Sequence, residues 1–224
     1  MTEPAAEHLS SEDRALGEWL AGLARSTGSP GGGAAAAIML AIAAGLTSMV
    51  AGYSRVEDGV LAARLADLTS RASARREDAV RLADEDAAGS KAFGAAFSLP
   101  DGAERIDAIR SASVVAAQSS RALGEAALEA IEDLEWLAEH GNRALVADVA
   151  VACGAIRAAI TGARTNVSFD LASARSAGRT LDDVRADQPE LWAAVTRFDE
   201  GIRRIDALAA RIDGRAAPTD HHGG

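Results

Sequence analysis

The chain has 224 residues, a net charge of −10 and a single cysteine, and these features exclude several classes of protein. The negative charge argues against nucleic acid or an anionic membrane as a partner, and one cysteine cannot form an internal disulfide. Abundant alanine, leucine, arginine and glutamate with few aromatic residues favour an all-helical, cytoplasmic protein with one sizeable core.

The first two predicted helices meet at a glycine-rich segment. A short amphipathic helix carries Leu16, Trp19, Leu20 and Leu23. Ser29 is predicted to cap the next helix and Pro30 to open its first turn. Gly31, Gly32 and Gly33 remove side chains where backbone N–H groups are unpaired, so a ligand carboxylate or phosphate can approach the positive helix end. A tight turn with close helix packing is the structural alternative.

The second helix contains no charged residue, since none lies between Arg25 and Arg55. This length is sufficient to cross a bilayer. However, the segment is mostly alanine and glycine and no aromatic belt brackets both ends, so its transfer into lipid is only weakly favourable. We therefore expect a helix buried in a soluble bundle or at a subunit contact, with no membrane span and no secretory signal.

Two long helices follow, each recognised by an apolar seam with alternating steps of four and three residues. The first seam runs from Leu61 to Ala96 and is interrupted by Arg75 and Asp86. A turn at residues 99–102 separates it from the second seam, which runs from Ile109 to Leu137. Gly141 is the expected C-cap of that helix.

The last part of the chain contains two further predicted helices. The helix from about Ala144 to Asn166, or slightly beyond, is apolar on nearly every side, which places it in the middle of the bundle. A looser segment over residues 173–188 leads to a final amphipathic helix between Pro189 and Ile212. The prediction is one all-α domain over residues 1–215, an up-and-down bundle of long helices, followed by a disordered tail at 216–224.

Four polar residues occupy interior-looking positions and are the candidates for function: Asp86, Asp148, Asn142 and Asn166. A buried carboxylate must be paired, protonated or face a wet cavity. For Asp86 the structural interpretation is a salt bridge to a neighbouring arginine, whereas Asp148 has no nearby base on its helix and favours function. For Asn142 and Asn166 the structural alternative to a functional role is that each closes the end of a helix. The sequence has no metal-ligand spacing, and we predict no metal and no cofactor.

The order of several short motifs resembles the cyclodeaminase/cyclohydrolase family, from about Leu16 to Ile212. These motifs are Ser29-Pro30-Gly31-Gly32-Gly33, Ala83-Asp84-Glu85-Asp86-Ala87, Ala96-Phe97-Ser98-Leu99-Pro100, Gly141-Asn142, Asp148 and Asn166-Val167. The family includes the cyclodeaminase part of formiminotransferase-cyclodeaminase and the methenyltetrahydrofolate cyclohydrolases. The resemblance implies a helical homodimer that binds folate in a cleft near the subunit contact.

The resemblance also implies roles for individual residues. Asp86 and Asp148 are the expected catalytic carboxylates, one as base and the other as proton donor, without assignment of which does which. The expected substrate-binding residues are Gly31, Gly32, Gly33, Arg55, Asp84, Asn142 and Asn166. A tetrahydrofolate derivative is then the substrate and not a cofactor.

Two reactions and one non-catalytic function follow from these observations. Hydrolysis of methenyltetrahydrofolate is placed first because the chain carries no formiminotransferase domain, and the cyclodeaminase step is placed second. Ala34 replaces the hydroxyl residue expected after the glycines, Tyr53-Ser54-Arg55 replaces a basic segment, and Gly89-Ser90 replaces an Ala-Phe pair. These departures support the alternative, a non-catalytic helical dimer that binds a folate-like or other small ligand.

Overall fold

The computed structural model describes residues 15–26, 28–176 and 179–216. Within these ranges every regular element is a helix, which confirms the predicted all-α class. The α-helices are α1 (Leu16–Leu23), α2 (Gly32–Tyr53), α3 (Gly59–Phe97), α4 (Ala103–His140), α5 (Val146–Ser176), α6 (Leu181–Asp187) and α7 (Pro189–Ala216), with a short 3-10 helix at Arg143–Leu145.

The four long helices α2 to α5 form an up-and-down bundle. Short connections join successive helices, which makes sequential neighbours antiparallel. Helix α2 contacts α3 and α5, α4 contacts the same two helices, and α7 packs on α5 and α4. Each of the five contributes a fully buried apolar side chain to one core: Leu40, Leu68, Leu134, Ile156 and Phe198. The predicted architecture is therefore confirmed.

Helix α2 packs closely because its buried side chains are small. A Cβ atom added at Gly162 of α5 would lie 2.7 Å from the Cβ of Ala36, so only glycine fits beside α2 at that position. Helix α2 and the stretch Arg143–Arg175 are each long and apolar enough to cross a membrane by length and composition, but half of the α2 window is buried inside the bundle. The burial supports the expectation of a bundle helix.

The seams predicted for α3 and α4 are confirmed, including the interruption at Arg75. Arg75 is only 7% exposed, and its Nη1 lies 2.9 Å from Oδ2 of Asp133 on α4. Nη2 of Arg71 lies 2.6 Å from the other oxygen of the same carboxylate. A buried charge is tolerated here because it is paired across the two helices.

The predicted start of α2 is wrong by two residues. The N-cap is Gly31, and the helix begins at Gly32 without a side-chain cap. The Ser29 hydroxyl instead donates to the carbonyl oxygen of Ala87 on α3, at 2.9 Å. A contact with a distant helix has therefore replaced the local cap.

The predicted end of α5 is also wrong, since the helix continues ten residues past Asn166 to Ser176. Val167, Leu171 and Ala174 remain buried, so its apolar face extends through this region. The expected loose segment contains α6, whose first turn is closed by a reciprocal capping box between Thr180 and Asp183. Helix α7 confirms the last predicted helix, and residues 217–224 of the predicted tail lie outside the described ranges.

Candidate functional site

A cavity of about 360 Å³ lies between the start of α2, the second half of α3, α4 and α5. Glycines of α2 and α3 form part of its wall, so the backbone of both helices is exposed to the cavity there. Its polar side chains are Asp86, Ser90, Ser119, Ser120, Asn166 and Asp170. The cavity thus brings together Asp86, Asn166 and two of the three glycines, Gly32 and Gly33, that the sequence predicted as site residues.

The carboxylate of Asp86 lies directly against the glycine-rich start of α2. Its Oδ2 accepts the backbone N–H of Ala34 at 2.9 Å, and the Ser90 hydroxyl donates a second hydrogen bond. A Cβ atom added at Gly33 would lie 2.8 Å from Oδ2 and closer still to the rest of the carboxylate. A side chain at position 33 would therefore have to displace the Asp86 carboxylate from its present position.

Within the described ranges, no positively charged side chain neutralises Asp86. Burial raises the pKa of the Asp86 carboxyl, while the hydrogen bonds from Ala34 and Ser90 act in the opposite direction. Among the described residues no arginine, lysine or histidine contributes to its electrostatic environment. The salt bridge considered for Asp86 is thus absent among the described residues. The carboxylate accepts its hydrogen bonds from uncharged groups instead.

Asp170 is a second carboxyl in the cavity, and sequence reasoning missed it. It lies one helical turn after Asn166 on α5, so both side chains line the same wall. Burial, together with the negative charge of Asp86, raises the pKa of Asp170 to about 7. The sequence did contain a signal for Asp170, since it lies four residues after Asn166 and shares its helix face if the helix continues. The predicted helix ended too early for this spacing to be used.

Two other predicted residues lie at the opposite end of the bundle. Asn142 caps the 3-10 helix through the N–H of Ala144, and its side-chain amide donates to the carbonyl oxygen of Tyr53 at 3.2 Å. Arg55 is exposed and donates to carbonyl oxygens at the end of α2. Because Tyr53 is 20 residues after Gly33 in one helix, this end is about 30 Å from the cavity. Substrate binding by Asn142 and Arg55 stays a prediction.

The chain does not bring Asp148 or Asp84 into the cavity. Asp148 is half-buried in the first turn of α5, 22 residues before Asp170, which is about 33 Å along the helix axis. Asp84 is half-buried on α3, but two residues before Asp86 it points about 200° around the helix. The catalytic role of Asp148 and the binding role of Asp84 stay predictions.

A larger cavity, of about 470 Å³, lies between α3, α4 and α7, and its charged lining consists of three arginines and three glutamates. Glu135 accepts two hydrogen bonds from Arg204, and this pairing lowers the pKa of the Glu135 carboxyl. An unpaired buried group with a shifted pKa is the better indication of a functional site. The smaller acidic cavity is therefore the candidate site.

The arrangement in the acidic cavity suits a ligand with a positive charge or several hydrogen-bond donors. Asp86 offers a carboxylate without a competing cation, and Asn166 offers an amide. Phe93 contributes an aromatic wall, with its ring centroid 4.8 Å from that of Phe97. Over the described ranges no group of three His, Cys, Asp or Glu side chains is placed to hold a metal ion.

The chain is similar to proteins of one family. The family model described as formiminotransferase-cyclodeaminase matches residues 15–180, a range that contains every lining residue of the acidic cavity. A solved structure, formiminotetrahydrofolate cyclodeaminase from Thermotoga maritima, shares the fold with a TM-score of 0.74 at 21% identity, over 91% of this chain and 96% of that chain. No curated protein matches the sequence.

Proposed function

Because the chain belongs to the formiminotransferase-cyclodeaminase family, we propose that it is an enzyme acting on a one-carbon unit carried by tetrahydrofolate. The observation that carries the proposal is the acidic cavity, in which Asp86 is half-buried beside a second carboxyl and has no cation as a partner among the described residues. A carboxylate held in this way stabilises positive charge on a bound ligand.

The chemistry of the substrate matches that feature. The methenyl bridge of methenyltetrahydrofolate is a delocalised amidinium cation, and water must attack its carbon atom to open the ring. Asp86 would lie beside this cation, stabilise it and accept a proton from the attacking water. The Ala34 N–H and the Ser90 hydroxyl fix the orientation of the carboxylate for this task.

The rest of the cavity fits a flat heterocycle. Its volume of about 360 Å³ lies within the range of small-molecule sites. The ring of Phe93 provides a stacking surface, and Asn166 can hydrogen-bond the amide edge of a pterin. Gly32 and Gly33 allow the ligand to approach the start of α2.

Two reactions are compatible with this placement. Hydrolysis of methenyltetrahydrofolate is the first to test, since it needs only water and proton transfer at the bridging carbon. Elimination of ammonia from formiminotetrahydrofolate is the second candidate, favoured by the name of the structural neighbour. Both reactions need a group that protonates a departing nitrogen.

Asp148 can take part in this site only from a second copy of the chain, because about 33 Å separates it from Asp170 in one copy. Exposed apolar side chains on neighbouring helices support the proposed homodimer: Met39, Ile42 and Met49 on α2, and Val151 and Phe169 on α5. Light scattering of the purified protein tests the dimer, with a monomer at all concentrations contradicting it.

The direct test follows the near-ultraviolet absorbance of methenyltetrahydrofolate in a buffer that does not itself catalyse ring opening. We expect the protein to accelerate the loss of absorbance, and Asp86→Asn to remove at least 99% of the acceleration, as for a general base. Asp67→Asn is the matched control, because Asp67 is exposed on the same helix and remote from the cavity.

The same assay separates the alternatives. Loss of activity in Asp148→Asn supports a site shared between two copies, whereas full activity assigns the site to one chain. Release of ammonia from formiminotetrahydrofolate without hydrolysis supports the cyclodeaminase. Protection from thermal unfolding by the folate without turnover supports the non-catalytic binding protein, and the absence of both turnover and protection contradicts the proposed function.

A further inference from the structure

Asp170 is a half-buried carboxyl in the acidic cavity, and the mechanism proposed for Asp86 does not use it. We propose that Asp170 is the second catalytic carboxyl of this site, the group that holds a proton in the resting enzyme and delivers it to the departing nitrogen. This inference rests on the proposed function and identifies the proton donor for it. The geometry that carries it is the convergence of α3 and α5 on one cavity.

The two carboxyls face the cavity from different helices. Asp86 comes from α3, and Asp170 comes from α5, one turn beyond Asn166. The other polar lining groups are neutral, with Ser90 on α3 and two serines, Ser119 and Ser120, on α4. Among the described lining residues Asp86 is thus the charged neighbour of Asp170.

The nearby charges on the same helices are directed elsewhere. Lys91 of α3 is exposed and does not line the cavity. Arg164 of α5 is paired with Asp199 of α7 at 2.8 Å, and Arg175 lines a separate apolar cavity. No cation therefore competes with a ligand for the pair of carboxyls in this part of the structure.

The surroundings of the two carboxyls differ, and the difference assigns their roles. Asp86 accepts hydrogen bonds from the Ala34 N–H and the Ser90 hydroxyl, and both favour its ionised form. Asp170 is half-buried beside that negative charge, and its pKa is about 7. The pair therefore takes up its first proton near neutral pH, and the hydrogen bonds to Asp86 make Asp170 the more readily protonated member.

The hydrolytic step is balanced with these two groups. Water forms a C–O bond to the bridging carbon and gives one proton to Asp86. Asp170 gives its proton to the departing nitrogen as the C–N bond breaks, and the electron pair of that bond stays on the nitrogen. The hydroxyl proton returns to Asp170 as the formyl C=O forms, and Asp86 releases the water proton to solvent.

Asp170→Asn is the variant that tests this role. The amide keeps the size of the side chain and can still donate a hydrogen bond, but it cannot release a proton. We expect kcat to fall at least 100-fold with KM changed less than threefold, which is the range for loss of a general acid. The decline of wild-type kcat/KM above about pH 7, which reports the free enzyme, should also disappear. Asp182→Asn, an exposed aspartate on α6, is the matched control.

A carboxyl carbon NMR titration provides a readout that does not depend on turnover. The resonance missing from Asp170→Asn should titrate near pH 7 in the wild type and at least one pH unit lower in Asp86→Asn. A resonance that titrates near pH 4 overturns the inference. So does an Asp170→Asn enzyme within threefold of wild-type kcat and with the same pH profile.

These outcomes remain separate from failure of the proposed function. A wild-type protein that neither opens nor forms the methenyl bridge overturns the proposed function, and with it this role. A wild-type protein that catalyses the reaction while Asp170→Asn keeps its rate and pH profile overturns this inference alone.

Discussion

Asp133 is buried and Asp86 is half-buried in the same helical bundle, and the two carboxylates are held in opposite ways. Asp133 is 2% exposed and accepts hydrogen bonds from Arg71 and Arg75 of α3. Asp86 accepts one backbone N–H and one hydroxyl, and no cation lies beside it in the part of the chain that the structure describes. The first carboxylate is neutralised within the fold, whereas the second keeps its charge available for a ligand.

The difference identifies which buried charge serves stability and which serves function. Pairing with arginine compensates the loss of hydration but leaves no free charge for chemistry. Hydrogen bonds from neutral groups compensate less of the lost hydration, so the pKa of the Asp86 carboxyl is raised. Keeping this carboxylate charged therefore lowers the stability of the folded protein. We therefore expect substitutions in the two regions to affect different measurements.

The largest expected effect is on the free energy of unfolding, in Asp133→Asn. The substitution leaves Arg75 buried without a counter-charge and should destabilise the protein by about 3–5 kcal/mol. Urea unfolding measures this change, and turnover per folded molecule should stay at the wild-type level. Asp206→Asn is the control, because its pair with Arg157 is exposed and should contribute less than about 1 kcal/mol. Equal effects of the two variants would contradict this part of the account.

The next effect is on turnover, in Gly33→Ala. The new methyl group must displace the Asp86 carboxylate, and a shift of about 1 Å lowers a rate by about 100-fold. The helical circular dichroism signal should stay unchanged, since alanine favours the helix. Gly214→Ala is the control, because nothing lies within 4 Å of a Cβ atom at that exposed position. A Gly33→Ala enzyme with wild-type turnover would show that the position of Asp86 is unimportant.

A smaller effect concerns the pH dependence of stability. The pKa of Asp170 is about 7 in the folded protein and about 4 in the unfolded chain, so its contribution is complete below pH 4 and is lost as pH rises to 7. Asp170→Asn removes this loss. The variant should be more stable than the wild type by about 2 kcal/mol at pH 8, allowing for solvent screening, and not at pH 4. Thermal unfolding between pH 4 and 8 measures the difference, and a constant offset contradicts it.

The smallest expected effect is on the free energy of unfolding in Asn142→Ala, at the end of the bundle opposite the cavity. The variant loses the cap of the 3-10 helix and the hydrogen bond to Tyr53, which together should destabilise the protein by about 1 kcal/mol. We expect KM for the folate to be unchanged in a site confined to one chain. A tenfold rise in KM would instead support the predicted binding role of Asn142.

Much of the fold was predictable because it follows from local periodicity. The seams of α3 and α4 identified the buried faces, and the interruptions at Arg75 and Asp86 identified one buried and one half-buried charge. Their different partners were not predictable, since these depend on which helices are neighbours. Asp133 faces Arg75 across α3 and α4, whereas Asp86 meets the backbone of α2.

Two of the errors of sequence reasoning have related causes. Ser29 has the chemistry of a helix cap, but its hydroxyl bonds to Ala87 more than 50 residues away. Asp170 was missed because α5 was expected to end near Asn166, whereas packing of Leu171 and Ala174 continues the helix. In both cases tertiary contacts determine the local structure, and the second case concealed one of the two carboxyls of the site.

The most direct test of this account measures turnover per folded molecule and the free energy of unfolding together, in Asp86→Asn and Asp133→Asn. We expect Asp86→Asn to lose at least 99% of its turnover of methenyltetrahydrofolate or formiminotetrahydrofolate and to be no less stable than the wild type. Asp133→Asn should lose stability and keep turnover. An Asp86→Asn protein that retains wild-type turnover, or that unfolds as easily as Asp133→Asn, would contradict the account.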